Sequence, residues 1–234
     1  MIAVLDPRDS RQPFPAVDAA LEEPNGLLAA GGCLSPERLA NAYRHGIFPW
    51  FNPGEPILWW SPDPRWVLTP ERVRVSRSLG KRLRRGEFHF SFDRAFDQVL
   101  QACAQPRPGA GGTWITQAMR TAYGRLHRQG LAHSFETWQG DELVGGLYGV
   151  AIGQVFFGES MFHRVTDASK AAFVLGCASL QAWGYQLIDC QVHTPHLERL
   201  GAEAWPRSMF IHQLDTLCEQ SALASAWDPA RMPP

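Results

Sequence analysis

The sequence predicts an α+β fold, a mixed sheet flanked by helices, with a small Pro- and Trp-rich lobe in front of it. Three observations carry that expectation. Residues 1–65 are dense in Pro, Gly and Trp and hold one helical pattern. Residues 132–162 then read as strands in succession. Finally, an apolar helix from Asp167 to Trp183 runs directly into the strand "LIDCQ", a late crossover of the kind that gives a mixed sheet.

In the first lobe, Ser35 is placed to cap a helix with Pro36 in its first turn and Gly46 at its end. Pro49, Pro53, Pro56, Pro62 and Pro64 forbid long regular elements after it. We therefore expect a small N-terminal domain over 1–65, "SPDPR" as the joint, and a larger domain over 66–234. A helix from Asp93 to Gln105 would put Phe96, Val99, Leu100 and Cys103 on one face and stop at Pro106. A loop, "PRPGAGG", follows, and Thr113 would cap a helix to about Gln129, with Gly130 as its stop. Strands are expected over 132–138, 142–152 and 154–162. The helix from Asp167 is apolar on nearly every side, which predicts burial. Gly184 ends it, and a strand over 186–192 follows.

A chain of 234 residues can bury a sizeable core, and 45% hydrophobic with 19% charged residues excludes disorder and fibrous repeats. The formal charge of -1 means that any nucleic-acid affinity must come from a local basic patch. Five cysteines without a CxxC pair fit a reducing cytoplasm. The N-terminal run is interrupted too soon by Asp6, Pro7 and Arg8 for a signal peptide. "LVGGLYGVAIGQVFFG", broken by glycines and Gln154, reads as sheet strands and not as a membrane span.

P-loop, GxGxxG, GxSxG and HExxH patterns do not occur. Pro195 between His193 and His196 argues against a helical zinc pair, so no metal site is expected. Asp189 and Gln191 share one face of the expected strand, with Ile188 and Cys190 on the other. Such a polar pair needs partners from protein, water or substrate, or else marks a strand end reaching solvent. Cys190, on the opposite face, reads as a buried thiol. Glu159 sits in "FFGESMF" and would share a face with Phe157 and Met161. It is either a binding group for an amine or cation, or a strand-end residue paired with Lys170 or Arg164. Between Arg72 and Arg85 lie seven basic residues and no acidic one, a solvated face or a phosphate-binding patch. Trp50, Trp59, Trp60 and Trp114 are either core or stacking platforms for an unpaired base.

Taken together, "EPNGLLAAGGCLSPERLANAYRHGIFPWF", "ILWWSPDPR", "TWIT", "LVGGLYGVAIG", "FFGESMF", "DASK" and "LIDCQ" followed by "LGA" resemble, in order and spacing, the leucyl/phenylalanyl-tRNA protein transferases over roughly Phe14 to Phe210. The resemblance implies a large domain similar to the N-acetyltransferase fold. It also implies transfer of Leu or Phe, and Met as well, from aminoacyl-tRNA to the N-terminal amine of proteins beginning with Arg or Lys, marking them for degradation. Aminoacyl-tRNA would be the co-substrate, with no cofactor. By motif, Asp189 and Gln191 would be the catalytic pair and Glu159 would hold the acceptor. Trp50 and Trp114 would pack the terminal adenosine. Leu147, Phe156, Phe173, Gly176, Leu180 and Ile188 would line the amino-acid pocket. Lys81, Arg82, Arg84 and Arg85 would meet the tRNA acceptor stem. Whether Asp189, Gln191 or the tRNA's own hydroxyls relay the proton stays open. Cys33, where the pattern has Asp, and His163, where it has Ser, depart from the family. An acetyl-CoA-dependent acetyltransferase is disfavoured because no Q/RxxGxG/A loop precedes a helix. A non-catalytic tRNA-binding module is the remaining alternative.

Overall fold

The computed structural model describes residues 2–106 and 113–231. Two sheets organise it. Strands β1 (Ala3–Leu5), β2 (Leu27–Gly31), β3 (Phe48–Pro49) and β4 (Leu58–Trp60) form a four-stranded sheet in the order β1-β2-β4-β3. These strands are short, as the prolines require. Helix α1 (Pro36–Arg44) joins β2 to β3, and Ser35 caps it by accepting from the Arg38 N–H.

The larger sheet has seven strands. Its members are β5 (Arg65–Leu68), β6 (His89–Phe92), β7 (Ala132–Gln139), β8 (Glu142–Ile152), β9 (Val155–His163), β10 (Leu187–Gln191) and β11 (Glu203–Trp205). They lie in the order β11-β5-β10-β9-β8-β7-β6. Every neighbouring pair is antiparallel except β9 and β10. That parallel pair is closed by the apolar helix, the crossover expected from the sequence. The helices are α2 (Arg77–Arg84), α3 (Phe96–Cys103), α4 (Gln117–Arg128), α5 (Ala168–Ala182), α6 (Pro195–Arg199) and α7 (Arg207–Leu217). None is long and apolar enough to cross a membrane among the described residues.

The core divides by face. On one, Phe96, Val99, Tyr123, Phe157, Phe210 and Leu214 pack with Tyr43, Ile47 and Trp59 of the N-terminal segment, so this cluster reaches both sheets. On the other, α5 packs Phe173, Cys177 and Leu180 against Phe135, Leu147, Phe156 and Ile188. A side chain at Gly145 would place its Cβ 2.6 Å from Ala168, so glycine there lets α5 lie against β8.

Several expected boundaries move, each for a local reason. The helix assigned to Thr113 begins after Thr116, whose hydroxyl accepts from the Met119 N–H at 3.2 Å. Thr113 instead accepts from Ile115 at 3.1 Å in a preceding turn. Asp93 is not helical. It has φ 52°, and its carboxylate takes the His133 ring at 2.6 Å and the Ser134 N–H at 2.8 Å. The loop expected over 106–112 lies, beyond Pro106, outside the described residues. Strand β5, directly after the "SPDP" joint, was not anticipated.

Candidate active site

The polar pair of β10 sits where the parallel strands part. Pairing of β10 with β9 ends at Asp189 opposite Phe157. Both strands then carry bulges. In β9, Tyr148 faces Ser160 and Gly149 faces Gly158, which leaves Glu159 as the extra residue. In β10, Asp189 faces Val67 and Gln191 faces Trp66, which leaves Cys190 extra. Bulges re-aim side chains, and they overturn two expectations of strict alternation. Phe157 packs on Tyr43, which also bonds Glu159, so Phe157 and Glu159 keep a common face, whereas Met161 packs on the α5 face and does not share it. Gln191, at φ 62°, is no longer two regular steps from Asp189. The pair stays adjacent through the backbone, the Gln191 N–H donating to Asp189 Oδ1 at 2.8 Å.

Asp189 is fully buried and does not reach solvent. Arg65 of β5 answers its charge, Nε to Oδ1 at 2.8 Å and Nη2 to Oδ2 at 2.7 Å, and neither side chain has exposed surface. The guanidinium also donates to the Gly46 carbonyl at 3.0 Å and lies between the Phe48 and Phe210 rings, 4.8 and 4.7 Å from their centroids. A bidentate, ring-enclosed Arg suits a buried carboxylate better than Lys would.

Glu159 pairs with neither Lys170 nor Arg164. Lys170 bonds Asp167 at 2.7 Å and Arg164 the Leu143 carbonyl at 2.9 Å. Three other groups converge on Glu159. Tyr43 of α1 lies 2.7 Å from Oε1, Tyr123 of α4 lies 2.8 Å from Oε2, and Gln191 Nε2 donates to Oε1 at 2.8 Å. The two phenol hydroxyls also contact each other. Burial pushes the Glu159 carboxyl up to about 7, with the hydrogen bonds pulling the other way. Glu159 as a residue is half-buried, but its carboxylate is enclosed by phenols and an amide, and these surroundings govern its proton affinity. Because Gln191 spends its NH₂ on Glu159, its carbonyl oxygen is turned away from that carboxylate.

Leu147, Phe156, Phe173, Leu180 and Ile188 fall in one buried cluster on the α5 face. Gly176 belongs with them, since a Cβ there would lie 2.8 Å from the Phe135 ring. The structure thus gathers the apolar set on one face and the polar set on the other, with the parting of β9 and β10 between them. Burial raises the proton affinity of Cys190, in keeping with a core thiol. His193 bonds Glu198 at 3.0 Å.

Trp50 is 48% exposed and packs on Trp60 at 5.6 Å, while the Trp60 indole donates to the Trp50 carbonyl. Trp114 is half-buried against the first core cluster, and Trp59 is wholly core. Two surface grooves, the larger about 350 Å³, flank α4. Both are lined by Gln117 and Arg120, and neither includes Glu159, Gln191 or the apolar set. The basic run from Arg77 onward forms α2, with Arg85 as its C-cap. Lys81, Arg84 and Arg85 are exposed there. Arg82 differs: it bonds Glu87 at 2.8 Å, Asp167 at 3.3 Å and the Thr166 carbonyl, and lies over Phe88.

Residues 67–215 match the family described as leucyl/phenylalanyl-tRNA protein transferase, and residues 32–63 match that family's N-terminal domain. The chain belongs to this family. A leucyl/phenylalanyl-tRNA–protein transferase of Methylococcus capsulatus is 59% identical over 98% of both chains. The transferase of the same name from Chromohalobacter salexigens is 61% identical over 94% of this chain and 86% of its own. Membership places the chain among aminoacyl-tRNA-dependent transferases. Among solved structures, a GCN5-related N-acetyltransferase from Kribbella flavida overlaps with TM-score 0.36 at 13% identity, over 69% of this chain and 58% of that one.

Sequence reasoning missed three residues of this site, Arg65, Tyr43 and Tyr123. Arg65 had only its place after two prolines as a signal. The tyrosines lie on two helices for which no buried face was assigned, and the one available hint was that a buried phenol needs a partner.

Proposed function

We propose that this member of the transferase family moves Leu or Phe, and also Met, from aminoacyl-tRNA to the N-terminal α-amine of cytoplasmic proteins beginning with Arg or Lys, which marks them for degradation. No metal or organic cofactor is needed, because an aminoacyl ester is already activated. The protein must deliver a neutral amine and stabilise the oxyanion that forms. The observation that carries this reading is the 2.8 Å contact between Gln191 Nε2 and Glu159 Oε1 at the parting of β9 and β10. It fixes the Gln191 amide beside the Glu159 carboxyl and leaves the amide carbonyl, turned away from that carboxyl, as the acceptor for an incoming amine.

In this reading Gln191 is the catalytic residue that accepts from the attacking amine, and Glu159 holds that amine. Asp189 acts through Gln191: its charge is committed to Arg65, and its Oδ1 fixes the strained Gln191 backbone. The acyl side chain enters from the α5 face among Leu147, Phe156, Phe173, Gly176, Leu180 and Ile188. Such a pocket separates substrates by only about 1–3 kcal/mol per methylene, which is why Met is tolerated. Trp50 and Trp114 pack the terminal adenosine. Lys81, Arg84 and Arg85 meet acceptor-stem phosphates, and Arg82 stiffens α2 beneath them.

The test is transfer of labelled Leu from Leu-tRNA to a peptide with N-terminal Arg, beside an N-terminal Ala peptide and a reaction with free Leu and ATP. Labelling of the Arg peptide alone, from charged tRNA alone, is the expected result. Equal labelling of both peptides would remove the acceptor specificity. No labelling, with tRNA binding intact, would leave a tRNA-binding module.

A further inference from the structure

The Glu159 carboxyl and the hydroxyls of Tyr43 and Tyr123 form a closed triangle. Its edges are Tyr43 to Oε1, Tyr123 to Oε2, and Tyr43 to Tyr123. Each edge needs one hydrogen, and the two phenols supply two. If Glu159 is ionised, both phenol hydrogens point at its carboxylate and the third edge brings two oxygens together with no hydrogen between them. One more proton, on Glu159, closes the ring. The acid hydroxyl then donates to Tyr123, Tyr123 to Tyr43, and Tyr43 to Oε1. Oε1 has a second lone pair, which takes Gln191 Nε2 at 2.8 Å. The proton count therefore favours a neutral Glu159 at rest.

The surroundings agree with that count. Among the described residues no cation is bonded to Glu159: Arg65 of β5 is spent on Asp189 of β10. Asp189 is itself a nearby negative charge that favours the neutral acid. From β8, Tyr148 presents a ring 5.5 Å from that of Tyr123, and its buried hydroxyl has no hydrogen-bond partner among the described residues. From α3, Cys103 is the titratable group that bears on Tyr148. Burial holds all three phenols well above their ordinary range, so they keep their protons and the count stands. The positions fit a shared device: Tyr43 comes from α1 of the N-terminal segment, Tyr123 from α4, and Glu159 from the bulge of β9.

We propose that the Tyr43–Tyr123–Glu159 triangle is the proton-handling element of the transfer reaction, resting with Glu159 neutral and working when Glu159 is ionised. This rests on the reading above that Glu159 stands beside the acceptor amine. An acceptor ammonium loses two protons as its nitrogen becomes an amide. The C–N bond forms and the ester C–O bond breaks. One proton goes to the departing ribose oxygen, which leaves as a hydroxyl. The Glu159 carboxylate takes the other, which closes the ring, and later releases it to water. Tyr43 and Tyr123 are positioning residues that set how tightly Glu159 holds that proton.

The experiment uses the full chain and the variants Tyr43→Phe, Tyr123→Phe and Glu159→Gln. Infrared difference spectra of the substrate-free protein, from about pH 5 to about pH 9, follow the carbonyl stretch of a protonated carboxyl, and kcat/KM for Arg-peptide leucylation is measured over the same span. The expected band titrates near pH 7, is absent in Glu159→Gln, and coincides with the acid limb of the rate profile. Loss of either phenol removes the hydrogen-free oxygen edge that disfavours the carboxylate and opens the ring that holds the acid. Band and limb should then move down together by about one pH unit, an about tenfold rate gain below the limb. A purely structural role for the phenols would lower the rate without moving either midpoint, which would overturn the proposal. So would the lack of a Glu159 carboxyl band at neutral pH. A band that titrates as expected while the rate profile ignores it would overturn the role in transfer. A wild-type chain with no transfer at all would sink the transfer reading and this role together, leaving the resting protonation to the infrared result.

Discussion

A carboxylate with no exposed surface persists only if something nearby answers its charge, and for Asp189 that is Arg65 with two bonds of 2.8 and 2.7 Å. Removing one partner leaves the other buried and unpaired. We expect Asp189→Leu or Arg65→Leu alone to cost about 3–5 kcal/mol in urea unfolding, and the double variant to recover a large part of it. Additive losses would mean that the pair contributes little as a pair. Glu159 has the opposite character: its folded value of about 7 lies above the ordinary 4.5. Its raised proton affinity stabilises the fold fully below about pH 4.5, and that contribution is lost as pH rises through about 7. Unfolding free energy should fall across this window in the wild type and fall less in Glu159→Gln, as read from urea midpoints at successive pH values. Glu159 and Gln191 were legible in the sequence because polar groups in apolar strands stand out. Arg65, Tyr43 and Tyr123 were not, since their partners lie 124, 116 and 36 residues away and nothing local marks such a contact.

Helix α2 shows how a charge run divides once it is folded. Arg82 is held by Glu87, Asp167 and Thr166, whereas Lys81 and Arg84 project outward. Lys81→Ala with Arg84→Ala should therefore lower the slope of log K for tRNA against log salt by about 0.7–0.9 for each phosphate no longer neutralised. Arg82→Ala should lower the melting temperature and leave that slope nearly unchanged. A slope change confined to Arg82 would reverse the assignment. On α5, Gly176→Val would drive a side chain into the Phe135 ring, 2.8 Å from the Cβ position, and cost about 1–3 kcal/mol by overpacking. The strands from β7 to β10 and helix α5 were readable because their apolar periods are long and their ends carry Gly or turn residues. Strands β5, β6 and β11, of three or four residues, have no period to read and form only through pairing. The bulges at Glu159 and Cys190 were invisible for a related reason, because alternation in sequence cannot announce where it will be broken.

Between the two sheets runs a single apolar cluster, with Leu28, Tyr43, Ile47 and Trp59 packed together with Val67, Phe96, Phe157 and Phe210. A core shared in this way couples the segments around residue 65. Native-state hydrogen exchange should therefore give β2 and β8 the same opening free energy, whereas earlier opening of β2 would mark an independently folding N-terminal domain. The composition change near residue 65 was plain in the sequence. That apolar contact crosses it was not, since Trp59 and Ile47 carry no sign of which strand they will meet. Arg65 adds a matter of timing. It pairs with a residue 124 positions later and is enclosed by Phe210, which follows later still. At a synthesis rate of about 5–20 residues per second, the guanidinium waits roughly 6–25 s on the ribosome before its carboxylate exists. The fold of the nascent chain is thus completed from its C-terminal part, and chains that stop before Phe210 carry the charge without its enclosure.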